Sequence, residues 1–546
     1  MNQRVILFLF ILVLFTFGLF TFEIKAQNDG ISQPIISLDK TCLYFGAASP
    51  NFITSSQTFL ITNIGDRTLF WNVSDNAAWI NCTPVSGINS GEITVSVNPT
   101  GLFVGTYTGA IMVSDFAAGN SPQIISVTLT VKPIGETSIP FGDFYTPLDG
   151  SIVQSSVAVT GWALDDLQVA SVKIYRELID QLIYIGDAVF IEGARPDIEQ
   201  AFPGYPFNYK AGWGYMLLTN LLPNRGNGLF YLRAIAADLE GNEVLLGRKA
   251  ISCDNDDAVR PFGAIDTPPQ GGTVYGNRYI NAGWVLTPPP NIIPINGSTI
   301  YVYVDGVKIG HPIYNLYRPD VAGLFFGYPN SGGAGAVFIL DTTLFANGVH
   351  TIYWTASDSA RNYDGIGSRY FTIQNVEALY PMQQLNPPPL YLKYLEDIEQ
   401  LEFSLPGIRG QESESIKIKK GFEADAGRQD AGSQIVYPDK NGIFHANMRE
   451  LDRIEIYLDP DMNDKSSSFG LYLGYLLMGE HLHSLPIGST LDREKGIFYW
   501  QPGAGFLGDY TLMFMRSDCN SNNRWKKINI EILPKWGVPL WTPVIF

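Results

Sequence analysis

The chain has 546 residues, several times the length that one hydrophobic core can serve, so three to five domains are expected. A formal charge of −17 with few, scattered Lys and Arg argues against a nucleic-acid partner, because phosphate contacts need a basic stripe. The 54 Gly, 34 Pro, 28 Tyr and 32 Phe, beside many Val, Ile and Thr, favour short strands and frequent turns, so an all-β protein is expected.

At the N-terminus, Arg4 precedes an uncharged, mostly apolar run from Val5 to Phe22, followed by Ile24-Lys25-Ala26 before the polar Gln27. That pattern reads as a signal peptide over residues 1–26, cut after Ala26, or as an uncleaved N-terminal anchor that would be the only membrane contact. Either way the remainder is exported, as a secreted or cell-surface bacterial protein. Four cysteines are too few for a disulfide scaffold. Cys42 and Cys82 share a predicted domain and form the one disulfide candidate, while Cys253 and Cys519 fall in different domains and are expected unpaired.

Residues 34–133 form the first predicted domain. GEITVSVNP, GTYTGAIMVSD and QIISVTLTVKP alternate β-branched with small or polar residues, so each strand has one face for a facing sheet and one for water. Trp79 followed by Pro84 to Gly87, within TFLITNIGDRTLFWNVSDNAAWINCTPVSG, resembles the BACON domain family. The resemblance implies an immunoglobulin-like sandwich of a kind attached to carbohydrate-active or surface proteins. Trp71 and Trp79 are expected in the core rather than on a sugar-stacking platform.

An internal repeat follows, over 138–255 and 259–375. PFGDFYTPLDG from Pro140 returns as PFGAIDTPPQG from Pro261, Gly161-Trp162 as Gly283-Trp284 (284 − 162 = 122), Arg195-Pro196-Asp197 as Arg318-Pro319-Asp320, and Gly204-Tyr205 as Gly327-Tyr328. A period this long is one whole sandwich, so two copies are expected to stack end to end. Late in each copy an A-x-D-x-x-G-N pattern, with Asp238 and Asn242 in the first copy, resembles the last hairpin of bacterial immunoglobulin-like and cadherin-like domains. Its Asp closes the turn by accepting backbone amides. The sharper reading is calcium, held by Asp165, Asp166 and Asp238; the second copy has Thr287 and Pro288 in place of the Asp pair.

Each copy also carries a long irregular insertion, at about 192–214 and 317–335. The first is rich in rings, and Tyr205, Tyr209 and Trp213 are the candidate ligand-binding residues, offering flat faces to surface glycans or proteins. The structural alternative, a plug that roofs one edge of the sandwich, is favoured over binding, since the Arg-Pro-Asp and Phe-x-Gly-Tyr parts occur in both copies.

A Pro-rich linker at 376–400, expected to end in a short helix, leads to a last domain over 401–535. There Leu485, Gly488, Asp492, Gly496, Phe498, Trp500, Pro502, Gly508 and Tyr510 follow a pattern that resembles the putative-Ig or cadherin-like repeats of bacterial surface proteins. The resemblance makes Trp500 and Tyr510 core and corner residues. The acidic run Asp459 to Ser467 reads as a solvated loop, and His481 with His483 as half a metal site without a third ligand. With five His and no HExxH, GxSxG or phosphate-cradling loop, no catalytic residue is assigned. The sequence therefore predicts a rod of four sandwiches acting by adhesion, binding or spacing, with a carbohydrate-binding protein as the alternative and a glycan-active enzyme as the less favoured one.

Overall fold

The computed structural model describes residues 33–49, 52–65, 67–179, 181–375, 415–421, 433–460, 471–479, 481–517 and 524–537. The signal-peptide segment, the Pro-rich linker with its expected helix, and Cys519 lie outside these residues. Among the described residues no helix is long and apolar enough to cross a membrane.

Among the described residues, strands alternating apolar and polar residues pair into eight sheets, which face one another two by two as four sandwiches. The protein is thus all-β, a tandem of immunoglobulin-like sandwiches. In the first, Ile93 and Val95 of Gly91–Val97, Ile111 and Val113 of Gly105–Ser114, and Ile125, Val127 and Leu129 of Gln123–Val131 all point inward and are buried together. Trp71 is buried in this core and Trp79 packs against it. Gly87 and Gly91 sit against the Trp71 ring, where a Cβ on either would overlap the indole.

The expected Cys42–Cys82 disulfide is not formed, and Cys42, Cys82 and Cys253 are free thiols. Strand polarity is the reason. Leu43 and Phe45 take the inward positions of Cys42–Ser49 and turn Cys42 to solvent, whereas Cys82 lies on the facing sheet and packs toward the core with Ile80.

The two repeat copies have the same topology. In copy 1 a four-stranded sheet runs Phe141–Thr146, Ser156–Leu164, Gly212–Leu218, Val189–Phe190; in copy 2 it runs Phe262–Ile265, Tyr279–Leu286, Gly335–Leu340, Ile313–Leu316. Each packs on a five-stranded sheet whose central hairpin is Asn227–Asp238 with Glu243–Asp254 in copy 1, and Gly348–Ser357 with Tyr363–Ile373 in copy 2. The C-terminal sandwich pairs two five-stranded sheets around Phe498, Trp500, Tyr510, Phe514 and Ile530, all buried.

The four units are not strung out as a rod. The core of the C-terminal sandwich continues into Ile191 and Ala194 of copy 1 and Tyr370 of copy 2, so it packs against both. The Tyr510 hydroxyl donates to the Ala194 carbonyl at 2.6 Å, and the Tyr353 hydroxyl of copy 2 donates to the Leu451 carbonyl at 3.0 Å. A repeat period reports the length of one unit and not which of its faces are apolar, so the expectation of end-to-end stacking does not hold here.

Candidate functional site

The residues proposed for ligand binding form part of the scaffold. Trp213 is fully buried in the core of copy 1, its ring 5.9 Å from Phe144, because its strand Gly212–Leu218 places Trp213, Tyr215 and Leu217 inward. It is not an exposed stacking platform, and that expectation is corrected. Trp213→Ala is expected to cost copy 1 about 3–5 kcal/mol, as large-to-small core substitutions do, and to lower its melting temperature. An unchanged melting curve together with a lost glycan contact would contradict this placement.

Tyr205 is half-buried in a ring cluster with Phe141, Trp162 and Phe202, at centroid distances of 5.2 Å to Phe141 and 6.2 Å to Phe202. Copy 2 repeats the arrangement with Phe262, Trp284, Phe325 and Tyr328. Both insertions open with a short helix, Pro196–Ala201 or Pro319–Leu324, preceded by an Arg that forks onto the Asp two residues on: Arg195 to Asp197, Arg318 to Asp320. The shared motif is therefore a plug that covers Trp162 or Trp284, and the geometry is that of the structural alternative.

Tyr209 and the three aspartates lie along the seam between the first sandwich and copy 1. Lys40 of the first sandwich sits 4.8 Å above the Tyr209 ring and pairs with Glu192 at 2.7 Å. Burial works against the Lys40 charge, but Glu192 and Asp39 outweigh it and hold the ammonium above its usual range. Burial pushes the Tyr209 phenol up, with Lys40 acting in the opposite direction. Asp166 pairs with Lys132 and accepts from the Ser138 amide. Asp165 Oδ1 accepts from the amides of Leu167 and Gln168, each at 2.8 Å. That turn in turn offers the Leu167 carbonyl to the Thr54 hydroxyl at 2.6 Å and the Gln168 carboxamide oxygen to the Ser55 amide at 2.9 Å.

Asp238 is consumed by its own turn, taking the amides of Glu240 and Asn242 at 2.9 Å and the Asn242 carboxamide at 2.8 Å. Among the described residues no three His, Cys, Asp or Glu side chains are grouped to hold a metal ion, so the three aspartates do not form the calcium cage expected of them. Both Asp238 oxygens, Asp165 Oδ1 and Asp166 Oδ2 are taken by the turns and the seam instead, while among the described residues Asp165 Oδ2 and Asp166 Oδ1 are buried without a hydrogen-bond partner. Of the acidic run, Asp459 is described, and it pairs with Arg516 at 2.7 Å and Lys526 at 3.2 Å.

The contact that sequence reasoning missed is the junction of three sandwiches. The loop from Arg449 to Arg453 enters between the copies. Leu451, at φ +65, packs with Ala158 of copy 1 and with Tyr303 and Tyr353 of copy 2. Beside it Glu450 is fully buried: Oε1 accepts from the Thr146 hydroxyl of copy 1 at 3.0 Å and Oε2 from the Lys535 amide at 3.2 Å. The Lys535 ammonium reaches Asp364 of copy 2 at 3.1 Å. Burial pushes the Glu450 carboxyl up to about 8, against the opposing pull of the Lys535 amide, Thr146 and the Lys535 charge. Arg453 donates to the Gly306 carbonyl at the tip of a copy 2 hairpin at 2.8 Å.

The same sheet face is used differently in the two copies. In copy 1 it is lined by Ala158, Thr160, Val189, Gly214 and Met216. Ala158 and Met216 pack in the Leu451 cluster, Val189 packs on the C-terminal core, and Gly214 lies so close to Ala504 that a Cβ there would overlap its carbonyl. By strand register these positions correspond to Ile280, Ala282, Ile313, Val337 and Ile339 of copy 2. There Ile280, Ile313 and Ile339 are 56%, 64% and 43% exposed. The signal was present in the repeat: an outward Gly in one copy against a Val in the other.

No family model matches the chain, and no curated protein matches it either. Solved structures do. A Bacteroides ovatus GH5 xyloglucanase in complex with a XXXG heptasaccharide is 24% identical over 22% of this chain and 22% of its own, with a TM-score of 0.15. The protocadherin GammaB4 extracellular domain is 10% identical over 92% of this chain and 68% of its own, TM-score 0.15, and sidekick-1 immunoglobulin domains 1–4 are 9% identical over 92% and 99%, TM-score 0.20. At such TM-scores the chains do not superpose as wholes, and the assignment of tandem sandwiches rests on the strand pairing above.

Proposed function

We propose that this chain is an exported, non-catalytic protein of the bacterial surface, in which copy 1, copy 2 and the C-terminal sandwich act as one block and copy 2 binds a protein partner through the outer face of its four-stranded sheet. The observation that carries this reading is the pair of equivalent faces. One is filled by a sandwich of the same chain, and the other presents Ile280, Ile313 and Ile339 to solvent. A contiguous exposed aliphatic face of this kind marks an interaction surface, and it lacks the rings and donors a sugar needs. Val337 at the position of Gly214 keeps a second C-terminal sandwich from docking there in the same way, so the partner presents a different apolar protein surface.

The test uses the full chain on arrays of extracellular proteins and of glycans, beside the double variant Ile280→Asp/Ile339→Asp. The reading predicts retention on protein that falls at least tenfold in the double variant while the melting temperature holds, since both sites are exposed. Binding to glycans alone, unaffected by the double variant, would overturn it, as would turnover of any polysaccharide.

A further inference from the structure

The two copies share the hydrogen bonds that their last hairpin turn makes to its Asp side chain, with one difference. In copy 2, Asp358 Oδ1 accepts the amides of Ala360 and Asn362 at 2.9 Å, and Oδ2 accepts the Asn362 carboxamide at 3.1 Å and the Thr287 hydroxyl at 2.9 Å. In copy 1, Asp238 receives the same amides and the same carboxamide. The residue in the place of Thr287, three after the repeated tryptophan in each copy, is Asp165. Asp165 is 1% exposed, and among the described residues its buried Oδ2 has no hydrogen-bond partner.

A buried carboxylate oxygen without a donor is costly, and beside a second carboxylate it is more so. A proton on Oδ2 removes both costs: it cancels one charge and makes Asp165 a donor, as the Thr287 hydroxyl is in copy 2. We propose that Asp165 keeps this proton and donates it to Asp238, so that the two carboxyls share one proton at the seam with the first sandwich, and that losing the proton loosens the seam.

The groups facing the pair are few. Asp166 lies beside Asp165 and is itself paired with Lys132 of the first sandwich; the other contacts from that sandwich, Thr54 and Ser55, are uncharged at the seam. Burial raises the Asp165 carboxyl to about 6, the two turn amides lower it, and the charges of Asp166 and Asp238 raise it again. The free value is 3.8, so the folded value is raised. Stability from this source is therefore complete below about pH 4 and is lost as pH rises through about 6. The ionised group would repel Asp238 and Asp166 while its other oxygen still caps Leu167 and Gln168. The turn that presents Leu167 and Gln168 to Thr54 and Ser55 would then bear the strain.

Hydrogen exchange of the Thr54–Ser55 segment in the full chain reads this directly, because the Ser55 amide is held by Gln168. Protection, taken relative to the unstructured rate at each pH, is expected to fall roughly tenfold between pH 4.5 and 7.5 in the native chain. Asp165→Thr, which installs the donor of copy 2, is expected to show protection independent of pH. Asp165→Asn, a carboxamide donor, is expected to do the same and serves if the first variant fails to fold. Equal pH dependence in the native chain and in the folded variants, or no pH dependence in the native chain, would overturn the proposal.

Discussion

Gly214→Val is expected to detach the C-terminal sandwich from copy 1 while leaving copy 1 folded. Valine is the residue at the corresponding position of copy 2, Val337, so the strand itself tolerates it. What it does not tolerate is the neighbour, because a Cβ at 214 overlaps the Ala504 carbonyl and approaches the Gly505 amide. Backbone has no rotamer with which to move aside, so the loop must retreat and take Leu451, Glu450 and the Tyr510 hydroxyl contact with it. Overpacking of this kind costs about 1–3 kcal/mol when side chains can relax, and more is expected against backbone. Calorimetry of the native chain should show copy 1, copy 2 and the C-terminal sandwich melting together; the variant should separate the C-terminal sandwich as an earlier transition. A single unchanged transition would mean that Gly214 does not carry the contact.

The junction is also expected to weaken with rising pH. Glu450 has a carboxyl raised from 4.5 to about 8, chiefly by burial, so the docked state holds a proton that the separated loop releases. Because the folded value is the higher one, this group leaves docking strongest below about pH 4.5 and weakens it as pH rises through about 8, by at most on the order of 4–5 kcal/mol. Glu450→Gln is expected to flatten the dependence between pH 5 and 8.5. The slope is the readout, since the carboxamide cannot accept from both Thr146 and Lys535 as the carboxyl does and shifts the absolute stability as well. A native chain whose melting is flat over that range, or a variant with the native slope, would remove Glu450 as the cause.

Much of the fold was legible because its cause is local. Period-2 alternation in strands such as Gly91–Val97 specifies which side is buried, and the repeat of Pro140, Trp162 and Arg195 as Pro261, Trp284 and Arg318 fixes two copies of one sandwich. The candidate sites were less legible, for a physical reason. Rings and carboxylates at loop positions look the same in sequence whether they meet a ligand or another domain. Tyr209 and Asp166 meet Lys40 and Lys132, residues distant along the chain, and Trp213, inside the expected 192–214 insertion, belongs to the strand Gly212–Leu218. The junction was hidden for the opposite reason. Glu450 and Leu451 carry no motif, and their burial depends on two other sandwiches arriving at the same point.

Hydroxyl-radical footprinting of the intact chain tests that arrival at one side chain. Leu451 sits on a tight loop of the C-terminal sandwich, is 2% exposed, and packs with Ala158 of copy 1 and Tyr303 and Tyr353 of copy 2 beside Ala504 of its own sandwich. It should be oxidised far more slowly than Ile179 of copy 1, which is 93% exposed. Oxidation of Leu451 at the rate of Ile179 would mean that the sandwiches stand apart.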